Sequence, residues 1–216
     1  MDFQDFLQYV PNLIPVELPA TTSHIKMAPK ERMQELKDLD LSTKNPRIAA
    51  VMMLFYPKNG EAHLILIVRN AYNGVHSSQI AFPGGKYELS DFDFKDTALR
   101  ETNEEVGILP EKIEVVKHFT PMYIPPSNFL VHPFMGIAKE ELSFYPDIRE
   151  VADIIELPLS VFLDDDIITE ATLSTSYAAN IPVPAFNIQN HIVWGATAMI
   201  LSELRDVIKT VLDKKI

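Results

Sequence analysis

Residues 82–108 read FPGGKYELSDFDFKDTALRETNEEVGI, from Phe82 to Ile108, and how this stretch folds decides how the rest of the chain is placed. The spacing predicts a helix over residues 94–106. Helical geometry puts Glu101 and Glu105 at i and i+4, with Glu104 also one turn on from Glu101, so three carboxylates crowd one face beside Arg100. The other face carries Ala98, Leu99, Thr102 and Val106 and suits packing on a sheet. Asp93 or Asp96 can cap the start, Gly107 suits the left-handed residue after the last turn, and Pro110 stops continuation. Like charges at i,i+4 cost an isolated helix roughly 0.2–0.5 kcal/mol per pair, a penalty that a bound divalent cation reverses. Oxygen-seeking Mg2+ or Mn2+ are the ions such a face would take. Taken alone, the cluster equally describes a solvated acidic helix face. Upstream, Gly84 and Gly85 follow Phe82-Pro83 and let the backbone approach a ligand closely at a strand end.

Gly85, Asp91 and the run Arg100-Glu101-Thr102-Asn103-Glu104-Glu105-Val106-Gly107-Ile108 resemble the Nudix box, a glycine and an acidic residue followed by Arg-Glu-aliphatic-x-Glu-Glu-x-Gly-aliphatic. The chain departs from that pattern in three ways. Asp91 stands where a Glu is usual, its spacing to Arg100 is one residue longer, and Thr102 replaces an aliphatic residue. The first two departures resemble the coenzyme A diphosphatase branch. Leu66-Ile67-Val68-Arg69 followed by His76-Ser77-Ser78-Gln79-Ile80-Ala81-Phe82-Pro83-Gly84-Gly85-Lys86 is similar to that branch's upstream signature, with Ser78 in place of a Gly. Residues 121–136, 150–159 and 192–200 extend the likeness over most of the chain. The resemblance implies an α/β/α sandwich with a mixed β-sheet over residues 46–216; residues 1–45, which it constrains little, are expected to form a helical extension packed on that core. The resemblance also implies a metal ligand from the Gly85 carbonyl.

The bulk properties fit one domain with a sizeable core: 216 residues, of which 47% are hydrophobic. The absence of cysteine removes disulfides, thiolate metal sites and cysteine nucleophiles, and suits a reducing compartment. With no basic leader at Met1-Asp2-Phe3 and no apolar run of membrane-spanning length, a soluble cytoplasmic protein without membrane association is expected. A formal net charge of −11 argues against nucleic acid as a partner. Divalent ions on the carboxylates would invert the local field and draw in a small diphosphate.

Short amphipathic helices are expected near residues 2–10 and 30–39, separated by a proline-bearing connection over 11–29. Strands are expected at 49–56 and 62–69, joined as a hairpin across Pro57-Lys58-Asn59-Gly60, then at 79–86, 113–119, 129–138, 152–157, 167–173 and 183–187. A last helix over 195–212 carries an apolar stripe of Ala198, Leu201, Leu204, Ile208 and Leu212. Pro125-Pro126-Ser127-Asn128 reads either as a wall of the substrate pocket or as an edge turn between strands.

Phosphoanhydride hydrolysis needs an activated water and absorption of charge on phosphate oxygens, both within reach of bound divalent metals. Glu101 and Glu105 are the first candidates for ligands, with Glu104 a third ligand or the partner of Arg100. Arg100 is expected to pair with a carboxylate and hold the helix face in register. Glu150 is a candidate further ligand or general base, set against a plain surface charge. Asp91 is a candidate for a metal or outer-ligand role, or a loop cap. Arg69, Lys86 and His76 are candidates for substrate contact, each set against a strand-end or loop residue. His118 and His132 read as packing residues, and Phe186 and Trp194 as core residues that can also stack on an adenine. The favoured activity is hydrolysis of coenzyme A or its thioesters to 3',5'-ADP and 4'-phosphopantetheine. Another nucleoside diphosphate derivative such as ADP-ribose, a non-catalytic nucleotide-binding module, and a scaffold using the N-terminal helices for a partner or a homodimer are the other readings.

Overall fold

The computed structural model describes residues 1–70, 79–174 and 180–213. In chain order the elements are α1 (Phe3–Leu13), α2 (Thr21–His24), α3 (Lys30–Lys37), β1 (Arg47–Lys58), β2 (Glu61–Arg69), β3 (Ile80–Ala81), β4 (Gly84–Lys86) and α4 (Phe94–Val106). There follow β5 (Glu114–His118), β6 (Met122–Ile124), β7 (Phe129–Ile137), β8 (Val151–Pro158), α5 (Leu159–Phe162), β9 (Ile168–Leu173), β10 (Ile181–Ile188), β11 (His191–Val193) and α6 (Gly195–Asp213).

The central strand explains the layering. Along β1, Ala50, Met52, Leu54 and Tyr56 enter one apolar cluster with Ala98 and Val106 of α4. Met53 and Phe55 point the other way, into a cluster shared with α1 and α6. A strand buried on both faces reads as a continuous apolar run, which is what Ala49 to Tyr56 shows. The result is an α/β/α arrangement. β1 and β2 form an antiparallel hairpin whose turn residues Asn59 and Gly60 both have positive φ, 51° and 80°, the geometry that Asn-Gly favours. β1 runs parallel to β7 from Arg47↔Phe129 to Phe55↔Ile137, while its pairings with β2 and β4 are antiparallel, so the sheet is mixed. β9, β10 and β11 form a separate three-stranded antiparallel sheet.

Several boundaries differ from the sequence reading, each for a physical reason. The strand expected over 79–86 is two strands: β3 pairs with β2, and β4 pairs with β1. Pro83 between them has no N–H to continue a ladder, and Gly84 at φ 153° redirects the chain. α1 runs past Val10 through Pro11 and adds Leu13 to its buried stripe of Phe3, Phe6 and Val10. The connection over 11–29 contains α2 and a 3-10 turn, anchored on Glu203 of α6. That buried carboxylate accepts hydrogen bonds from the Ala20 N–H (2.9 Å) and from the Thr120 hydroxyl (2.6 Å), and lies 3.5 Å from His24.

Candidate active site

The site begins where β4 meets α4. Ala98, Thr102 and Val106 are buried on the sheet side of the helix, and Thr102 returns its hydroxyl to the Ala98 carbonyl at 2.6 Å. Asp93, not Asp96, is the cap: its side chain accepts from the Asp96 N–H at 2.8 Å. Gly107 closes the other end at φ 76°. With both ends fixed, the carboxylates fan from core to solvent, with Glu105 buried, Glu101 half-buried and Glu104 exposed.

Each carboxylate has a defined neighbour. Glu105 accepts from the Gly84 N–H at 2.7 Å and lies 3.5 Å from Arg69 of β2. Glu101 faces the α-carbon of Gly85, where an added Cβ would collide with its carboxylate. Arg100 gathers the remainder. It donates to Asp91 at 2.7 Å, to Glu101 at 2.9 Å and to the Lys86 carbonyl at 3.0 Å, and pairs with Glu104 at 3.3 Å. Asp91 is buried and also accepts from Thr97 (2.8 Å) and the Glu88 N–H (2.9 Å). Hydrogen bonds from Arg100 hold its carboxyl well below the usual carboxylate range. Asp91 therefore anchors Arg100, which in turn fixes the rim of the helix.

Burial pushes the Glu105 carboxyl up to about 7, with the charges of Glu101 and Glu150 adding to the rise and the Gly84 N–H and Arg69 opposing it. Burial also raises Glu101. Two carboxylates that resist ionising, side by side and next to a glycine with no room for a Cβ, suit a hard cation that would neutralise them. Among the described residues, no three His, Asp or Glu side chains close around one point; Glu101 and Glu104 are paired with Arg100, and Glu105 with Arg69. The oxygen donor set of Glu101, Glu104, Glu105 and the Gly85 carbonyl has the chemistry that Mg2+ or Mn2+ requires.

These residues line one end of a cleft of about 710 Å3. Arg69, Lys86, Gly85, Arg100, Glu101, Glu104, Glu105 and Glu150 all contribute to its lining. Glu150 is exposed and sits just before β8, at the bulge where Arg69 pairs with Val151. His76 lies outside the described residues. The Pro125-Pro126-Ser127-Asn128 segment is both things expected of it: a turn between the paired strands β6 and β7, and a cleft wall through Pro126 and Ser127. Trp194 lines the cleft, whereas Phe186 is fully within the core. His132 is buried, with its ring pushed down to about 4 by burial, and His118, although exposed, stacks on it and on Phe134 from the surface, so both are held by ring packing. Pro29 and Arg32 also line the cleft. Sequence reasoning passed over both, since an arginine on a short polar helix looks like a surface charge until the tertiary fold carries it inward.

A model of the NUDIX domain matches residues 46–167, more than half of the chain. The chain belongs to the Nudix family. It is 34% identical over 167 residues to the uncharacterized Nudix hydrolase NudL of Photorhabdus laumondii, covering 74% of this chain and 84% of that one. Over 145 residues it is 30% identical to the peroxisomal coenzyme A diphosphatase NUDT7 of Mus musculus, covering 65% of this chain and 61% of the mouse protein's length. In fold it is similar to RenU, a Nudix hydrolase from M. smegmatis, with a TM-score of 0.54 at 18% identity, covering 76% and 87% of the two chains. Among the described residues, no helix of this Nudix protein is long and apolar enough to cross a membrane.

Proposed function

We propose that this Nudix hydrolase cleaves the diphosphate of coenzyme A or of an acyl-coenzyme A, releasing 3',5'-ADP and 4'-phosphopantetheine, with Mg2+ or Mn2+ bound. The observation that carries the reading is the buried Glu105, raised to about 7 beside Glu101 and Gly85 in a partly apolar cleft. The relative named as a coenzyme A diphosphatase supports the choice of substrate.

In this proposal the Gly85 carbonyl, Glu101, Glu104 and Glu105 hold the metal. Bound there, the ion would lower the pKa of a water and neutralise charge developing on the diphosphate oxygens. Arg69 and Lys86 orient the diphosphate from the strand ends. Arg100, fixed by Asp91, keeps the Glu101 and Glu104 carboxylates at the rim. Glu150, which lines the same cleft and whose charge reaches Glu101 and Glu105, accepts the proton of the attacking water. The site lies on the N-terminal side of α6, where Trp194 and Ile200 give the cleft an apolar flank suited to a base or a pantetheine arm. We place the activity in the cytoplasm.

The test is product chromatography with coenzyme A and ADP-ribose in Mg2+ and in Mn2+, comparing the natural chain with Glu105→Gln. Metal-dependent coenzyme A turnover that falls at least about 100-fold in the variant is expected, the loss of one group acting on developing charge. Turnover of ADP-ribose alone would keep the site and reject the substrate, and turnover of neither would reject the diphosphatase reading.

A further inference from the structure

The cleft extends well beyond the carboxylates. Its floor is one face of four adjacent strands in the order β4, β1, β7, β6, with Lys86, Ala49 and Val131 in register across it and Ile124 beside Phe129. At the usual strand spacing, the far side lies about 10–15 Å from the Gly84–Lys86 strand. That distance is far longer than any one contact with a diphosphate.

The far wall is the turn between β6 and β7, and its polar groups come from two directions. Arg32 of α3 is only 5% exposed, lines the cleft, and donates from its guanidinium to the Tyr123 carbonyl of β6. Ser127 lines the cleft in the turn itself, 9% exposed, and its buried hydroxyl has no hydrogen-bond partner among the described residues. The turn is braced from outside, where Arg47 donates to the Ser127 carbonyl at 2.7 Å and its guanidinium covers the Phe129 ring. Ile124, Pro126 and Phe129 of the same two strands and their turn add apolar lining. A guanidinium held in such surroundings attracts an anion far more strongly than one in solvent, and an unused buried hydroxyl costs stability until a ligand engages it.

We propose that Arg32 and Ser127 form a second subsite of the cleft, which takes a phosphate monoester carried on the nucleoside end of the substrate. The proposal rests on the diphosphatase reading for its choice of ligand: coenzyme A bears such a monoester on its ribose, and ADP-ribose does not. The Arg32 guanidinium supplies positive charge to the phosphate oxygens, and the serine hydroxyl adds a neutral donor. It makes the N-terminal segment part of substrate selection rather than a covering layer.

Calorimetry on the full chain with adenosine 3',5'-bisphosphate and adenosine 5'-monophosphate tests the subsite without turnover. The bisphosphate is expected to bind about 10- to 100-fold tighter, the worth of a charge-assisted hydrogen-bonded pair. In Arg32→Gln the two should bind within about twofold of each other, and Arg32→Lys should recover part of the preference, since a lysine keeps the charge but not the planar guanidinium held on the Tyr123 carbonyl. Equal binding by the natural chain overturns the proposal, and needs no variant to do so. A preference that survives in both Arg32→Gln and Ser127→Ala overturns it as well. Coenzyme A and 3'-dephospho-coenzyme A are then compared as substrates. If neither is cut while the bisphosphate preference holds, the hydrolase reading fails and the subsite stands as a nucleotide-binding feature.

Discussion

Glu105 is the residue at which burial, charge and chemistry meet. Its carboxyl ordinarily titrates near 4.5 but is raised to about 7 in the fold, so the folded chain binds the extra proton over that interval. Stability from this group is fully present below pH 4.5 and is lost as the pH rises through about 7, by at most about 3 kcal/mol. Chelator-treated protein should therefore unfold at a lower denaturant midpoint at pH 8 than at pH 5.5, and Glu105→Gln should flatten that difference. Parallel midpoint curves for the two proteins would remove burial of this charge as the cause. Asp91 has the opposite sign. Its pKa is lowered, so its contribution is present at neutral pH and disappears as the pH falls through the acid range. Asp91→Asn takes the buried charge from a guanidinium that is 22% exposed and still paired with Glu101 and Glu104, so the expected loss is about 1–2 kcal/mol, below the value for a fully buried pair left without a partner. Urea denaturation at pH 7 measures it, and a loss under about 0.5 kcal/mol would mean that Arg100 needs no anchor. The three carboxylates and Arg100 were legible in the sequence because helical spacing is local. The role of Asp91 was not, because its distance to Arg100 depends on how the loop after β4 folds back.

At the scale of elements, the decisive contact is the close approach of β4 to α4. Gly85 sits opposite Ala50 in the β1 ladder, and its missing side chain is the space in which the Glu101 carboxylate stands. Gly85→Ala asks no forbidden backbone of the strand, since no positive φ occurs there, so the chain should still fold. The collision is with the flexible end of Glu101, which must swing away. Apparent affinity for Mn2+ is expected to fall at least about tenfold, with the melting temperature of the metal-free protein changed by no more than a few degrees. Calorimetric titration with Mn2+ checks the first part and a melting curve the second. Undiminished Mn2+ affinity would show that Glu101 does not need that space. The glycines themselves were visible in the sequence. What they face was not, because the split of the expected strand at Pro83 sends β3 and β4 to different partners, and only the assembled sheet reveals the pairing.

Across the whole molecule, the N-terminal segment is joined to the core by apolar and polar contacts at once. Phe6 is fully buried, with its ring centroid 5.0 Å from that of Phe55 in β1, and Phe3, Val10 and Leu13 share its cluster with α6. Glu203 of α6 reaches back to Ala20, and Lys117 of β5 donates to the carbonyls of Ile14 (2.7 Å) and Val16 (2.8 Å). The amphipathic period of α1 announced that it covers something, but not what, since the partner strand lies some fifty residues away in the chain. Removing the Phe6 ring should then act as a core deletion rather than as a change to an appendage. Phe6→Ala is expected to cost about 3–5 kcal/mol, a large part of the roughly 5–15 kcal/mol that holds a domain of this size together. Phe6 does not line the cleft, so the folded fraction should keep its affinity for nucleotide. Guanidinium unfolding followed by tryptophan fluorescence reports the loss through Trp194, the single tryptophan, which lies at the start of α6. A cost below about 1 kcal/mol would mean that the core closes without α1, whereas the expected cost makes residues 3–13 as much a part of the domain as the sheet they cover.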